Sequence, residues 1–211
     1  AAAAAASRDF TLFLRGYIEA RRAKPADDLI THLIAAEEDG EKLSTDELIS
    51  TCILLLNAGH EATVHTIGNG VKTLLETQTP LTAATVDALI EEIIRFDPPL
   101  HMFTRYAYAD VDVMGHTIPQ GTEIALLLAA ANHDPAAFSD PASFNPNRPA
   151  KANLSFGAGL HFCVGAPLAR LALQVALPIL FERLPKLRLA APPRYGDQYH
   201  FHGLDRLIIA A

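Results

Sequence analysis

The stretch LSFGAGLHFCVGAPLARLALQ, residues 154–174, decides how the rest of the chain is read. It sets Cys163, one of two cysteines, between a glycine-rich turn and a segment of helical pattern. A cysteine at a helix N-terminus meets the positive end of the macrodipole and unpaired backbone N–H groups. Both favour the thiolate, which is the metal-binding form. Gly157, Gly159 and Gly165 carry no Cβ, so the backbone near the sulfur can pass close to something flat or bulky. Phe156 is placed to stack on whatever the sulfur binds. The stretch by itself also fits a plainer reading, an inert thiol beside a glycine turn that starts a helix.

Working outward, the long segment before it is helical in pattern. Ser44 and Glu47 in STDE form a capping box ahead of a helix expected over residues 45–76. At 1.5 Å per residue this central helix would run ~48 Å, enough to cross a domain. Its middle, LLLNAGHEATVHTIGNG, is apolar nearly all round, yet contains Gly59 at a cost of about 1 kcal/mol against alanine, which implies that something needs the space. Upstream, the apolar spacing from Asp9 to about Glu38 predicts two helices broken at AKPADD. Downstream, Val86, Leu89, Ile90 and Ile93 share one face of a helix that DPP ends. Partial alternation in RYAYADVDVMGHTIPQGTEIALLL predicts strands around a hairpin turn at MGHTIPQG. The Pro- and Asp-rich NHDPAAFSDPASFNPNRPAKAN reads as a long meandering connection. Two short strands are expected at the end, around LRLAA and LDRLIIA. The alanine run at residues 1–6 reads as a tag remnant or unidentified side chains, and no structure is inferred from it.

With 211 residues, half of them apolar, the chain can bury a sizeable core. A net charge of −7 without a dense Lys/Arg cluster argues against nucleic acid. The apolar runs are far shorter than the ~20 residues of a membrane span, and no signal peptide is recognised, so a cytoplasmic protein is expected. Two cysteines imply no disulfide framework, and Cys52 in TCILLL reads as a buried apolar residue.

The spacing of FGAGLHFCVG (Phe, two residues, Gly, three residues, Cys, one residue, Gly) resembles the haem-ligand signature of the cytochrome P-450 family of haem-thiolate monooxygenases. Three further stretches resemble the family in the same order. AGHEAT at 58–63 is similar to the oxygen-activation segment of its central helix, EEIIR holds a Glu-x-x-Arg pair as Glu92 and Arg95, and FNPNRP resembles the meander that supplies Arg148. The resemblance implies a mainly α fold with small β elements, a single haem-binding portion with its ligand loop at 154–165, and haem b as cofactor. It makes Cys163 the iron ligand, whose electron donation favours O–O cleavage. It places Phe156, Gly157, Gly165 and Ala58 against the haem, and His161 and Arg105 at its propionates. It assigns Glu61 and Thr63 to proton delivery, and turns Leu54, Asn57, Ala62, His101, Phe103 and Phe201 towards a small or medium apolar substrate. Dioxygen is the co-substrate. Electrons are expected from a separate ferredoxin or flavin-type protein, since no Gly-x-Gly-x-x-Gly follows a strand. Arg170 and Lys151, near Cys163, are candidates for meeting an acidic donor.

Not every residue singles out one chemistry. Glu92 and Arg95 point away from the Val86–Ile93 stripe, as a solvated pair also would; the resemblance makes them a structural triad with Arg148. His60, Glu61 and His65 invite a zinc-hydrolase reading, but that site needs histidines at i and i+4, whereas these are five apart and diverge by about 140°. The resemblance covers only the C-terminal half of the family's usual chain. Segments that cover the distal pocket are missing, and a further segment or a partner chain has to supply them. Ala62 stands where the family places an alcohol, with Thr63 one residue late, which weakens the proton relay. A haem-binding protein without turnover and a peroxide-driven enzyme are the alternatives.

Overall fold

The computed structural model describes residues 2–38, 40–82, 84–149, 152–198 and 200–211. The chain divides into two compact units, residues 1–60 and 61–211.

In the first unit, α1 (Ala2–Ala23) is followed by α2 (Leu29–Ala35). The alanine run, which has the best intrinsic helix propensity, continues α1 upstream of Asp9. The break at AKPADD holds because Asp28 caps α2, accepting from the Thr31 N–H at 2.9 Å. Arg21 donates to the same carboxylate, and these bonds bring Asp28 down to about 2. The predicted second helix ends at Ala35, short of Glu38. Glu37–Glu38 (β1) and Glu41–Lys42 (β2) pair antiparallel instead, around a turn in which Gly40 takes φ 84°. Next, α3 runs Thr45–Thr77. Its capping box is formed in both directions: the Ser44 N–H donates to Glu47 at 2.8 Å, and the Glu47 N–H donates to Ser44 Oγ at 3.3 Å. Leu14, Ile18, Leu48, Ile49 and Cys52 form the core of this unit, and burial pushes the Cys52 thiol up.

The second unit begins inside α3, which continues unbroken to Thr77. α4 (Val86–Phe96) packs on it closely: a Cβ on Gly70 would lie 3.1 Å from Ile93. Gly70 therefore supplies the close helix contact. At Gly59, beyond the helix itself, the space where a Cβ would sit is open. Val71, Leu74, Leu89, Ile90, Ile93, Ile94, Leu173, Leu177 and Leu187 form the core. Each fully buried aliphatic side chain contributes about 1.5–3 kcal/mol.

The expected strands resolve into two nested ladders. β3 (Met102–Tyr106) pairs with β6 (Glu123–Leu127), and between them β4 (Val111–Val113) pairs with β5 (His116–Ile118). The tight turn is Met114–Gly115, both at positive φ (52° and 82°) as a two-residue hairpin requires. The second half of MGHTIPQG is β5 and a separate turn, where the Gly121 N–H donates to the Ala107 carbonyl at 2.7 Å. A short helix, α5 (Leu128–Asn132), leads into the meander. α6 (Ala166–Arg183) follows the Cys163 loop. At the end, β7 (Arg188–Leu189) pairs with β10 (Ile209–Ala210), and β8 (Arg194–Tyr195) with β9 (Leu204–Arg206). No helix among the described residues is long and apolar enough to cross a membrane.

Candidate functional site: the Cys163 loop and its supports

The loop is built on α4. Asn132, fully buried, accepts the Leu154 N–H on Oδ1 at 2.7 Å and donates from Nδ2 to Ser155 Oγ at 2.7 Å. Ser155 Oγ donates in turn to the Ile94 carbonyl at 2.6 Å. This chain fixes the start of the loop to the end of α4. The loop then reverses at Gly157 (φ 69°) and Gly159 (φ 66°), conformations that a side chain would strain. A one-turn 3-10 segment, Gly159–His161, brings the Cys163 N–H back to the Phe156 carbonyl at 2.9 Å. The Ala166 N–H donates to the Cys163 carbonyl at 3.3 Å as α6 begins.

The Cys163 side chain is exposed. Leu160 (97% exposed), Phe162 and Val164 (88%) stand apolar beside it, an unusual surface unless a flat apolar group covers it. Phe156 packs against the core of the unit and carries Arg170 over its ring at 4.7 Å. Arg170 Nε and Nη2 donate to Glu91 at 2.5 and 3.1 Å. The Glu91 bond, opposed by burial, raises Arg170 above its ordinary value, with Coulomb attraction to Glu91 and to Cys163 adding to it. Arg170, a candidate for meeting an acidic donor, is thus paired with Glu91, a partner distant in sequence, and its side chain stays 32% exposed. Lys151 lies outside the described residues. His161 is exposed at the end of the 3-10 turn. Arg105, on β3, donates to the Thr104 carbonyl at 2.8 Å, and among the described residues no carboxylate pairs with it.

Glu92, Arg95 and Arg148 come together. Arg95 donates twice to Glu92, each at 2.7 Å, and Arg148 Nε donates to Glu92 Oε1 at 3.1 Å. Glu92 is 5% and Arg95 2% exposed, so the face opposite the apolar stripe is covered, not solvated. The meander covers it. Arg95 donates to the carbonyls of Asn132, Pro141 and Ser143, and Arg148 to those of Ser139, Asp140 and Ser143. Two guanidinium forks thereby satisfy backbone acceptors that a segment without helix or strand cannot satisfy itself. Burial alone would raise the Glu92 carboxyl; the bonds from Arg95, the Asn145 N–H and Arg148 overcome this and leave it below its ordinary value.

On α3, Glu61 is half exposed and lies 3.8 Å from His65 Nε2. Ala62 and Thr63 are partly buried, and the Ala62 carbonyl accepts from the Thr66 hydroxyl at 2.7 Å. His65 also meets the Phe201 ring at 5.7 Å. His101 stacks on His202 at 4.1 Å, and burial, then His202, lowers it. Phe103 meets His200 edge-on at 5.6 Å. In the first unit, Leu54, Asn57 and Ala58 are exposed along α3. Sequence reasoning missed Asn132, Glu91, Asp97, Asn69, Tyr195 and His202. The proline-bounded DPP marked Asp97 only as a helix end.

The residues present fit a haem. Among the described residues, no group of three or more His, Cys, Asp or Glu could hold a bare metal ion. One exposed sulfur, a loop without Cβ atoms at Gly157 and Gly159, and an apolar rim would suit a flat, largely apolar cofactor held through Cys163.

The family model for cytochrome P-450 matches residues 84–186. A putative cytochrome P-450 of Xylella fastidiosa is 38% identical over 214 residues, covering 98% of this chain and 53% of the relative. The 6-deoxyerythronolide B hydroxylase of Saccharopolyspora erythraea is 42% identical over 190 residues, 87% of this chain and 47% of the relative. The chain therefore spans about half the length of the curated relatives it matches. Among solved structures, the LnmA cytochrome P-450 hydroxylase of the leinamycin pathway of Streptomyces atroolivaceus aligns at a TM-score of 0.91 and 38% identity, over 99% of this chain and 56% of that one. Sequence and backbone agree along almost the whole chain, and on that agreement it belongs to the cytochrome P-450 family.

Proposed function

We propose that the full-length protein is a haem-thiolate monooxygenase that inserts one oxygen atom from dioxygen into a small or medium apolar molecule, with haem b held by Cys163. The observation that carries this is the exposed Cys163 sulfur at the start of α6, on a loop fixed from below by Asn132 and Ser155. When bound, haem supplies the redox-active iron at which dioxygen is reduced. Cys163 holds the iron, and Arg170 keeps positive charge beside the thiolate. Arg105 and His161 would meet the carboxylates of haem b. His101, Phe103 and Phe201 would face the substrate, and Glu61 would hold a proton at its carboxylate. Electrons would come from a separate ferredoxin or flavin-type protein. The hydroxylase from Saccharopolyspora erythraea supports a hydroxylation chemistry. The test loads the full-length protein with haem b, records the reduced carbon monoxide spectrum, and follows ¹⁸O from dioxygen into product. A thiolate-type Soret band with one labelled oxygen in the product is expected; a band of imidazole type, or label taken only from water, would refute the reading.

Ala62 favours peroxide-driven turnover as a second reading. General acid–base positioning is worth about 10² to 10⁴ in rate, so a gap beside Glu61 has a measurable effect. Thr63 cannot fill it, since one residue along a helix turns the side chain by about 100°. Ala62→Thr is expected to raise product formed per reductant consumed and to lower peroxide release. Unchanged coupling with intact substrate affinity would show that protons arrive by another route.

A further inference from the structure

The end of α4 carries a buried polar cluster that the family motifs do not include. Asp97, 8% exposed, accepts from the Tyr195 hydroxyl and lies 3.2 Å from His202 Nε2 and 3.6 Å from Lys72 Nζ. Lys72 also pairs with Glu76 at 3.2 Å and lies over the Tyr195 ring. The His202 ring is sandwiched: His101 stacks on one neighbour position at 4.1 Å and 25°, and Tyr195 on another at 4.1 Å and 18°. The backbone of the same residue is held as well. The His202 N–H donates to the Pro99 carbonyl at 2.7 Å, and its carbonyl accepts from Asn69 Nδ2 at 3.0 Å, the group that also donates to the Asp97 carbonyl at 3.1 Å. Leu100 and Phe201 form an isolated antiparallel bridge. At Gly203 a Cβ would fall 1.8 Å from His65 Nδ1, so the segment is pressed directly onto α3.

We propose that Asp97 is a positioning residue that, through His202, sets the spacing between segments 99–103 and 200–203, the two that carry His101, Phe103 and Phe201. The proposal rests on the haem-pocket reading above. A flexible C-terminal segment would let Phe201 swing away from Leu100. One carboxylate counters this because it meets the Tyr195 hydroxyl and the His202 ring at once from a buried position. Asparagine at 97 keeps the shape but loses the charge and one of the two oxygens, so the charge-assisted bonds from Tyr195 on Oδ2 and His202 on Oδ1 cannot both persist, and Lys72 loses a counter-charge.

The test uses the full-length haem-loaded protein and two probes, imidazole and the bulkier 4-phenylimidazole. Imidazole needs only the iron; the phenyl group also needs the walls. In Asp97→Asn, hydrogen exchange in 99–103 and 200–203 is expected to accelerate, and 4-phenylimidazole to bind about tenfold more weakly, the size of one charge-assisted hydrogen bond, with imidazole unchanged. Should that variant not fold, His202→Phe keeps a stacked ring, removes the bond to Asp97, and is expected to give the same split. Equal weakening of both probes, exchange rising throughout the protein, or no change in the two segments would overturn the proposal. A wild-type protein that binds neither probe fails at the haem reading itself, a result distinct from normal wild-type binding with an unaffected variant, which fails the role of Asp97 alone.

Discussion

Glu92→Gln is expected to lower the unfolding free energy by about 3–5 kcal/mol, because it leaves two guanidinium groups facing a buried site without a counter-charge. Arg95 and Arg148 both lean on Glu92, and through them the carbonyls of Asn132, Ser139, Asp140, Pro141 and Ser143 do so indirectly. Urea unfolding followed by circular dichroism measures the loss. A value below about 1 kcal/mol, the range of exposed pairs, would mean that the triad contributes little. The pH dependence has a fixed sign. Glu92 sits below its ordinary value of 4.5 in the folded protein, so an unfolded chain binds its proton first as pH falls. Its contribution is complete above that value and is lost as pH drops through the folded one. Wild type and variant should therefore differ fully at neutral pH and converge under acid.

Cys163→Ser should abolish the thiolate-type carbon monoxide band and turnover of the full-length protein while leaving its fold intact. The bonds that shape the loop run through the backbone of Cys163, from its N–H to Phe156 and from Ala166 to its carbonyl, and serine keeps both. Without haem the sulfur is exposed, so the change in unfolding free energy of the haem-free protein should stay within ±0.5 kcal/mol, as for other surface substitutions. Spectrum and stability together separate a ligand from a packing residue. An unchanged band would refute the assignment, and a large loss of stability in the haem-free protein would mean that the thiol is structural.

What was legible in the sequence is local or tied to a family motif. The capping box at Ser44 and Glu47 reads out directly because its partners are three residues apart, and α3 ends within a residue of its expected limit. The glycines of the Cys163 loop are legible because their backbone conformations need them. Helical phase alone left Glu92 and Arg95 facing solvent; only the meander, distant in sequence, buries them. The pairing of Arg170 with Glu91 left no trace in the sequence for the same reason, since Glu91 is 79 residues away. The Asp97 cluster gave no signal at all: Tyr195 is 98 residues from it, and neither residue sits in a periodic pattern. In the strand region, alternation located the ladders but not their nesting, which depends on which of two turn-like stretches, Met114–Gly115 or Pro119–Gly121, closes the inner hairpin.

The triad has a consequence for the order in which this unit assembles. Glu92 reaches Asn145 across 53 residues and Arg148 across 56, whereas α4 closes its own backbone within single turns. Loop-closure entropy disfavours such long-range contacts until the strands and α5 between them are in place. The seam between α4 and the meander is therefore expected to shut after the strands and α5 that lie between its two sides in sequence. An interaction that forms late in this way is expected to slow unfolding more than it speeds folding, so loss of the Glu92 triad should show mainly in the unfolding rate.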